Sequence, residues 1–346
     1  MKFSDRTLTR YALSCVAAAM LAGCGGSQPP IGAPGATPQT SSFATHADRG
    51  TSWMLPEAKS EDLLYVSTLV GAKVYSYPRG KRIGRPLKAA ANAPECVDKA
   101  GDLFVGNRDR GLTEYKHGGD KPMKTFSQSG YGSGGCGSDT TTGNLAVPFG
   151  TFDGSEAVGF VAVYQNASGN PAIYNLNGMA PNYCGYDNKG DLFCDGVTAY
   201  GDQFLFAELP KGGNALESIA LNQSIGFGGL VQWDGRYITV VDVNVNKVYG
   251  FIISSSSGTL RRTVTLQLPS SEFFDYCPTV FGKTVIEPNI AEINNQPIGV
   301  VNYFHYPAGG TPFKTLKVGD DTAPFCAVVS VAPSQSPIRK QKGSRR

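Results

Sequence analysis

One signature recurs six times along this chain, and it limits the fold more than any other feature. A Cys or Leu is followed five to seven residues later by a Gly that opens a short β-type run. The clearest copies are Cys96 to Val105 and Cys184 to Phe193. Looser copies start at Cys136, Leu230, Cys277 and Cys326, the last without its Gly run. The successive spacings are 40, 48, 46, 47 and 49 residues. A period of this length built from strand-type units is the signature of a β-propeller blade.

Each period holds two more landmarks. Aromatic-rich runs such as Val74-Tyr75-Ser76-Tyr77, Leu112-Thr113-Glu114-Tyr115 and Val301-Asn302-Tyr303-Phe304 each precede a Gly- or Pro-containing turn, the mark of a strand that ends sharply. Outer-strand patterns follow in Pro122–Phe126 and Pro312–Leu316. Each unit therefore reads as four short strands.

The ends complete each other. The run Asp62–Ser67 has no preceding Cys strand, and Phe325–Val331 has no following run. We expect the N-terminal run to supply three strands of a blade whose inner strand is Phe325–Val331. The predicted fold is all-β: a six-bladed propeller of four-stranded blades over residues 62–333, with almost no helix. A β-sandwich explains neither the period nor the complementary ends. A seventh blade needs about 45 more residues.

Flanking segments set the address. Lys2, Arg6 and Arg10 precede the apolar run Tyr11–Ala22, which is too short to span a bilayer comfortably. It ends in Leu21-Ala22-Gly23-Cys24. This resembles the lipobox of bacterial lipoproteins, which implies a signal peptide over 1–23 and a lipid on Cys24 as the membrane anchor. The competing reading is a buried apolar helix. By the same resemblance, the absence of Asp after Cys24 implies the outer membrane, with the body facing the periplasm or the surface. Residues 24–61 are rich in Pro, Gly, Ser and Thr and read as a flexible tether. Residues 334–346 form a tail with five basic residues.

The whole chain carries +3. The leader has three basic residues and one acidic one, so residues 24–333 carry −4 once the tail is also set aside. The tail suits either anionic headgroups or a solvated end. An acidic body without a basic stripe argues against nucleic acid as a partner.

The blades resemble six-bladed NHL-like or TolB-like propellers, in particular uncharacterised bacterial lipoproteins with Tyr-Pro-x-Gly turns and a Gly-Asp/Asn-Leu-Phe-Val strand. The resemblance covers residues 62–333 and bears on fold, since propellers host many functions.

Chemistry is sparse. Of eight Cys, Cys15 and Cys24 belong to the leader and lipobox, leaving an even six, as suits an oxidising compartment. Cys184 and Cys194 are symmetric about Lys189 in a predicted hairpin, so they are the expected disulfide. Cys96, Cys136, Cys277 and Cys326 occupy matching inner-strand positions, either as bridges or as small buried residues. There is no CxxC. The three His (His46, His117, His305) do not make a triad or a three-His zinc site.

Two functional readings remain. The favoured one is a non-enzymatic module that binds a protein or carbohydrate ligand and needs no cofactor. Its expected site is the face made by loops entering the inner strands, with Tyr131, Asp139, Tyr183, Asp187, Phe227, Asp275 and Tyr276. Aromatic rings there suit ligand burial, or inter-blade packing. Asp98, Asp139 and Asp187 also suit turns. The rival is a divalent-metal hydrolase or lactonase. Resemblance to sugar-lactonase-like propellers points it to Glu95, Asn182 and Asp275, although the Glu-Gly-Pro-x-Trp entry of that family is absent.

Overall fold

The computed structural model describes residues 54–333, apart from 92, 108–110, 153–156, 176–177, 202, 270–271, 275–276 and 321–322. Residues 1–53 and 334–346, with the lipobox, tether and basic tail, lie outside them. Among the described residues, helix is confined to three short 3-10 turns, and no helix is long and apolar enough to cross a membrane.

Six antiparallel sheets follow one another in chain order. We number them as blades. Blade 1 pairs Leu63–Thr68 with Gly71–Ser76 on one side and Cys326–Ser330 on the other. Blade 2 spans Glu95 to Phe126, blade 3 Gly132 to Tyr174 and blade 4 Met179 to Ser218. Blade 5 runs from Gly228 to Thr265, with Ala220–Leu221 added in parallel at its outer edge. Blade 6 runs from Glu272 to Asp320. The fold is therefore a six-bladed propeller whose first blade is closed by the last strand.

Closure uses fewer N-terminal strands than the sequence suggested. Two continuous strands form, and the third survives only as isolated bridges, Tyr75 with Arg82 and Ala72 with Leu87. Gly80, Gly84 and Pro86 interrupt it, and neither residue type supports a continuous ladder. The seam is held by more than the ladder. Cys326 N–H donates to Ser67 Oγ (3.0 Å), and Ala332 N–H donates to Asp62 Oδ1 (2.9 Å).

The repeat's glycine has a single job. Gly101, Gly143, Gly190, Gly235 and Gly282 have φ of +83°, +78°, +92°, +95° and +59°. Each sits in the turn from the inner strand to the second strand, where an L side chain is strained. Carboxylates brace four of these turns, that of Asp139 among them. Asp98 Oδ1 accepts from the amides of Ala100 and Asp102, Asp187 Oδ1 from Lys189, Gly190 and Asp191, and Asp234 Oδ1 from Arg236 and Tyr237.

Blades pack face to face through alternate apolar side chains. Leu63, Tyr65, Leu103, Val105 and Tyr115 form one inter-blade core, and Phe193, Phe206, Val231, Val240 and Val248 belong to another. Three disulfides reinforce this packing. Cys184–Cys194 joins directly opposed residues within blade 4, as the hairpin symmetry predicted. Cys96–Cys136 links the inner strands of blades 2 and 3. Cys277–Cys326 links blade 6 to the closing strand. Three disulfides point to an oxidising, extracytoplasmic compartment.

Candidate functional site

Alternating strand direction gives the propeller two unlike faces. One, the entry face, carries the loops leading into the inner strands and the turns joining second to third strands. The other, the exit face, carries the turns that follow the inner and third strands. The described chain begins and ends on the exit side: Glu57 and Glu61 pair there with Lys81 and Arg79, and Ala332 bonds Asp62.

The expected site residues divide between these faces. Tyr131, Asn182, Tyr183 and Phe227 are on the entry side. Asp139 and Asp187 are at the other end of their strands, in exit turns. Asp275 and Tyr276 lie outside the described residues.

On the entry side, side-chain roles differ. Tyr131 packs edge-to-face on Phe160 at 4.9 Å. Tyr183 is buried, and its ring lies where a Cβ on Gly135 would be only 2.0 Å from it. That glycine allows blades 3 and 4 to approach closely. Phe227 is exposed. Second-strand carboxylates tie down these loops. Tyr183 N–H donates to Asp195 Oδ1 (2.8 Å), and Asp242 accepts from the amides of Gly226 (3.0 Å) and Phe227 (3.4 Å). Burial pushes the Asp195 carboxyl well above the usual range.

Asp139 is fully committed to its turn. It accepts from the Thr141 amide and hydroxyl, both at 2.8 Å, and from the Thr142 hydroxyl. Burial pushes its pKa up, but these bonds outweigh it and hold the carboxyl below its ordinary value.

The three residues of the metal reading do not come together among the described ones. Glu95 is fully buried in the inner strand of blade 2. Asn182 lines a separate entry-face pocket, and its carbonyl accepts from Gly135 N–H (2.7 Å). No group of three His, Cys, Asp or Glu is arranged to hold a metal among the described residues.

That pocket lies between blades 3 and 4, with a volume of about 390 Å³. Ser133, Thr151, Pro181, Asn182 and Phe227 line it over a floor of glycine backbone. Exposed apolar side chains from five blades form a rim on the same face. Among the described residues, thirteen large hydrophobic side chains are exposed, and seven are on the entry face. They are Leu69 and Val70 in blade 1, Val158 in blade 3, Tyr200 in blade 4, Phe227 and Val245 in blade 5, and Ile293 in blade 6. Tyr200 is 72% exposed and Val70 62%.

Sequence reasoning missed six of these: Leu69, Val70, Val158, Tyr200, Val245 and Ile293. A signal was present. Each lies in or beside a turn between two core strands, where polar residues are the rule. Ile293 precedes Asn294 and Asn295, and Val245 precedes Asn246, all three with left-handed φ.

Comparison with known proteins bears on the fold alone. No family model matches the chain, and no curated protein matches it. Among solved structures, it is similar to the β-propeller domain of Cps50 (Swd1) from Myceliophteria thermophila, at 11% identity and a TM-score of 0.50, over 76% of this chain and 85% of that one. A quinonprotein alcohol dehydrogenase-like protein from Bacteroides thetaiotaomicron follows at 8% identity and a TM-score of 0.46, covering 79% of this chain and 78% of that one. The chain is thus a six-bladed β-propeller, distantly similar in structure to solved propellers and assigned to no family.

Proposed function

We propose that this protein is a lipid-anchored, extracytoplasmic binding module of the NHL- or TolB-like kind, and that it grips a protein partner with its entry face. The observation that carries this reading is the rim itself. Scattered exposed apolar residues need no explanation, but a set gathered on one face does. Five of the seven are aliphatic. Sugars stack on aromatic faces, whereas aliphatic rims suit the apolar core of a protein interface. Tyr131 and Tyr183 belong to the loops behind this rim; Asp139 and Asp187 brace the opposite face.

The outer membrane is the expected anchor site.

The test compares faces. Leu69→Ser/Val70→Ser/Ile293→Ser removes the rim, and Lys99→Ser/Lys189→Ser/Arg236→Ser alters the exit face. Detergent extracts are sized by native electrophoresis. Wild type and the exit variant migrate as a complex, and the entry variant as the free chain. An entry variant that keeps the complex rules the reading out.

A further inference from the structure

The inner strands of all six blades enclose a central cavity of about 430 Å³ that opens on the exit face. It is separate from the entry-face rim. Its walls are largely apolar, with Val231, Val280, Val328, Tyr186 and Trp233 among them. Asp98, Lys99, Asp187 and Asn188 stand at the exit-side turns.

Glu95 does not fit such a lining. It is one residue deeper along its strand than Cys96, on the side away from the opening. It is fully buried, and neither carboxyl oxygen has a hydrogen-bond partner. The repeat shows how unusual this is. The residue before the repeat's Cys or Leu is Gly135, Tyr183, Gly229, Tyr276 or Phe325 in the other copies. Five copies have Gly or an aromatic, and one has an acid. Blade packing therefore does not call for a carboxylate there. An unpartnered buried carboxyl is costly, and native proteins rarely keep one without a use.

We infer that the cavity is a binding site for a small organic amine, with Glu95 at its inner end as the counter-ion and the valine and aromatic walls holding the apolar part. A lone carboxylate is too few ligands for a divalent cation, which takes six or more oxygens. An ammonium group provides N–H donors to both oxygens and the opposite charge. Tyr186 and Trp233 offer ring faces that favour a cation on its way in. The cavity volume falls in the range of small-molecule sites.

Proton balance follows. Burial pushes the Glu95 carboxyl well above its ordinary range, and the nearby Ser67 amide pulls it the other way by a smaller amount. The charge-coupled group beside it is Tyr65 of blade 1. Asp98, Lys99 and Asp187 lie toward the mouth. Entry of an ammonium ion converts –COOH to –COO⁻ paired with –NH₃⁺, and one proton leaves to solvent.

The experiment uses a matched pair of probes, 2-phenylethylamine and 2-phenylethanol, which differ in charge but hardly in shape. Trp233 is the reporter, in a Trp53→Phe background, because these are the only two tryptophans. The amine should shift Trp233 emission saturably and bind about tenfold or more tighter than the alcohol, as a charge-assisted pair requires. Glu95→Gln should abolish that preference while leaving alcohol binding in place. A second readout needs no variant: calorimetry of wild type in buffers of different ionisation enthalpy should show about one proton released per amine bound at mildly acidic pH. Absence of saturable amine binding, equal affinity for amine and alcohol, or binding without proton release overturns the assignment.

Discussion

The two faces of this propeller use their turns in opposite ways. On the exit face, the turns after the inner strands are closed networks. Asp98, Asp139, Asp187 and Asp234 spend oxygens on their own backbone or hydroxyls. Asp234 goes further: Arg262 Nη1 donates to it at 2.6 Å, Tyr306 donates its hydroxyl, and the guanidinium stacks over Tyr237 at 4.8 Å. This cluster pins blade 5 to blade 6. On the entry face, the turns between second and third strands leave Val70, Tyr200, Val245 and Ile293 in water. Side chains that stabilise the fold are satisfied internally, whereas side chains left unsatisfied are available to a partner. The contrast separates stability from binding.

Stability measurements can break that separation. The largest loss should come from the seam. Cys277→Ser/Cys326→Ser removes a bridge spanning 49 residues and should cost about 3–4 kcal/mol in denaturant unfolding, more than Cys184→Ser/Cys194→Ser, whose bridge spans 10. Next, Asp234→Ala strands Arg262 and Tyr306. It should cost about 3 kcal/mol, near the low end for breaking a buried pair, because Arg262 keeps some solvent contact. On the entry face, Tyr200→Ser should change stability by only about 0.5 kcal/mol or less. An entry-rim substitution as costly as Asp234→Ala would erase the contrast.

A pH prediction sharpens it further. Burial raises the Glu95 carboxyl well above its ordinary value, so the unfolded state ionises first. Its favourable term is fully present below the unfolded pKa and is lost as pH rises toward the folded one. Glu95→Gln should therefore be more stable relative to wild type at pH 7 than at pH 4, by equilibrium unfolding at both. Asp139 behaves oppositely, since its folded pKa lies below its ordinary value. Its contribution is present above the unfolded pKa and is lost as pH falls through the folded pKa, so Asp139→Asn should be most harmful near neutrality.

Much of the fold was legible because it is periodic. A Gly that must take positive φ marks every turn after an inner strand that has one, and the complementary ends marked the closure. Cys184 and Cys194 were legible because a hairpin register is local. The other bridges were not. Residues at one inner-strand position form a ring in which each has two neighbours, and the sequence does not say toward which neighbour a side chain turns. The structure pairs Cys96 with Cys136 and Cys277 with Cys326, although blades 1 and 2 are also adjacent. The candidate site was legible only in part. Loops entering the inner strands stand out by their aromatics, yet Asp139 and Asp187, three residues past the same Cys positions, fall at the opposite end of the strand. A short strand converts a few residues of sequence into a change of face. The apolar turns escaped because a hydrophobic residue next to a core strand reads as core until its exposure is known.

The central claim is that the entry face, and not the rest of the surface, meets the partner. Site-specific photo-crosslinking in intact cells tests it most directly. A benzophenone amino acid replaces Tyr200 on the entry face or Phe313, which is 50% exposed on the outer strand of blade 6. The account predicts one discrete adduct of higher mass from position 200 and none from position 313. Adducts from position 313 alone, or identical adducts from both, would contradict it.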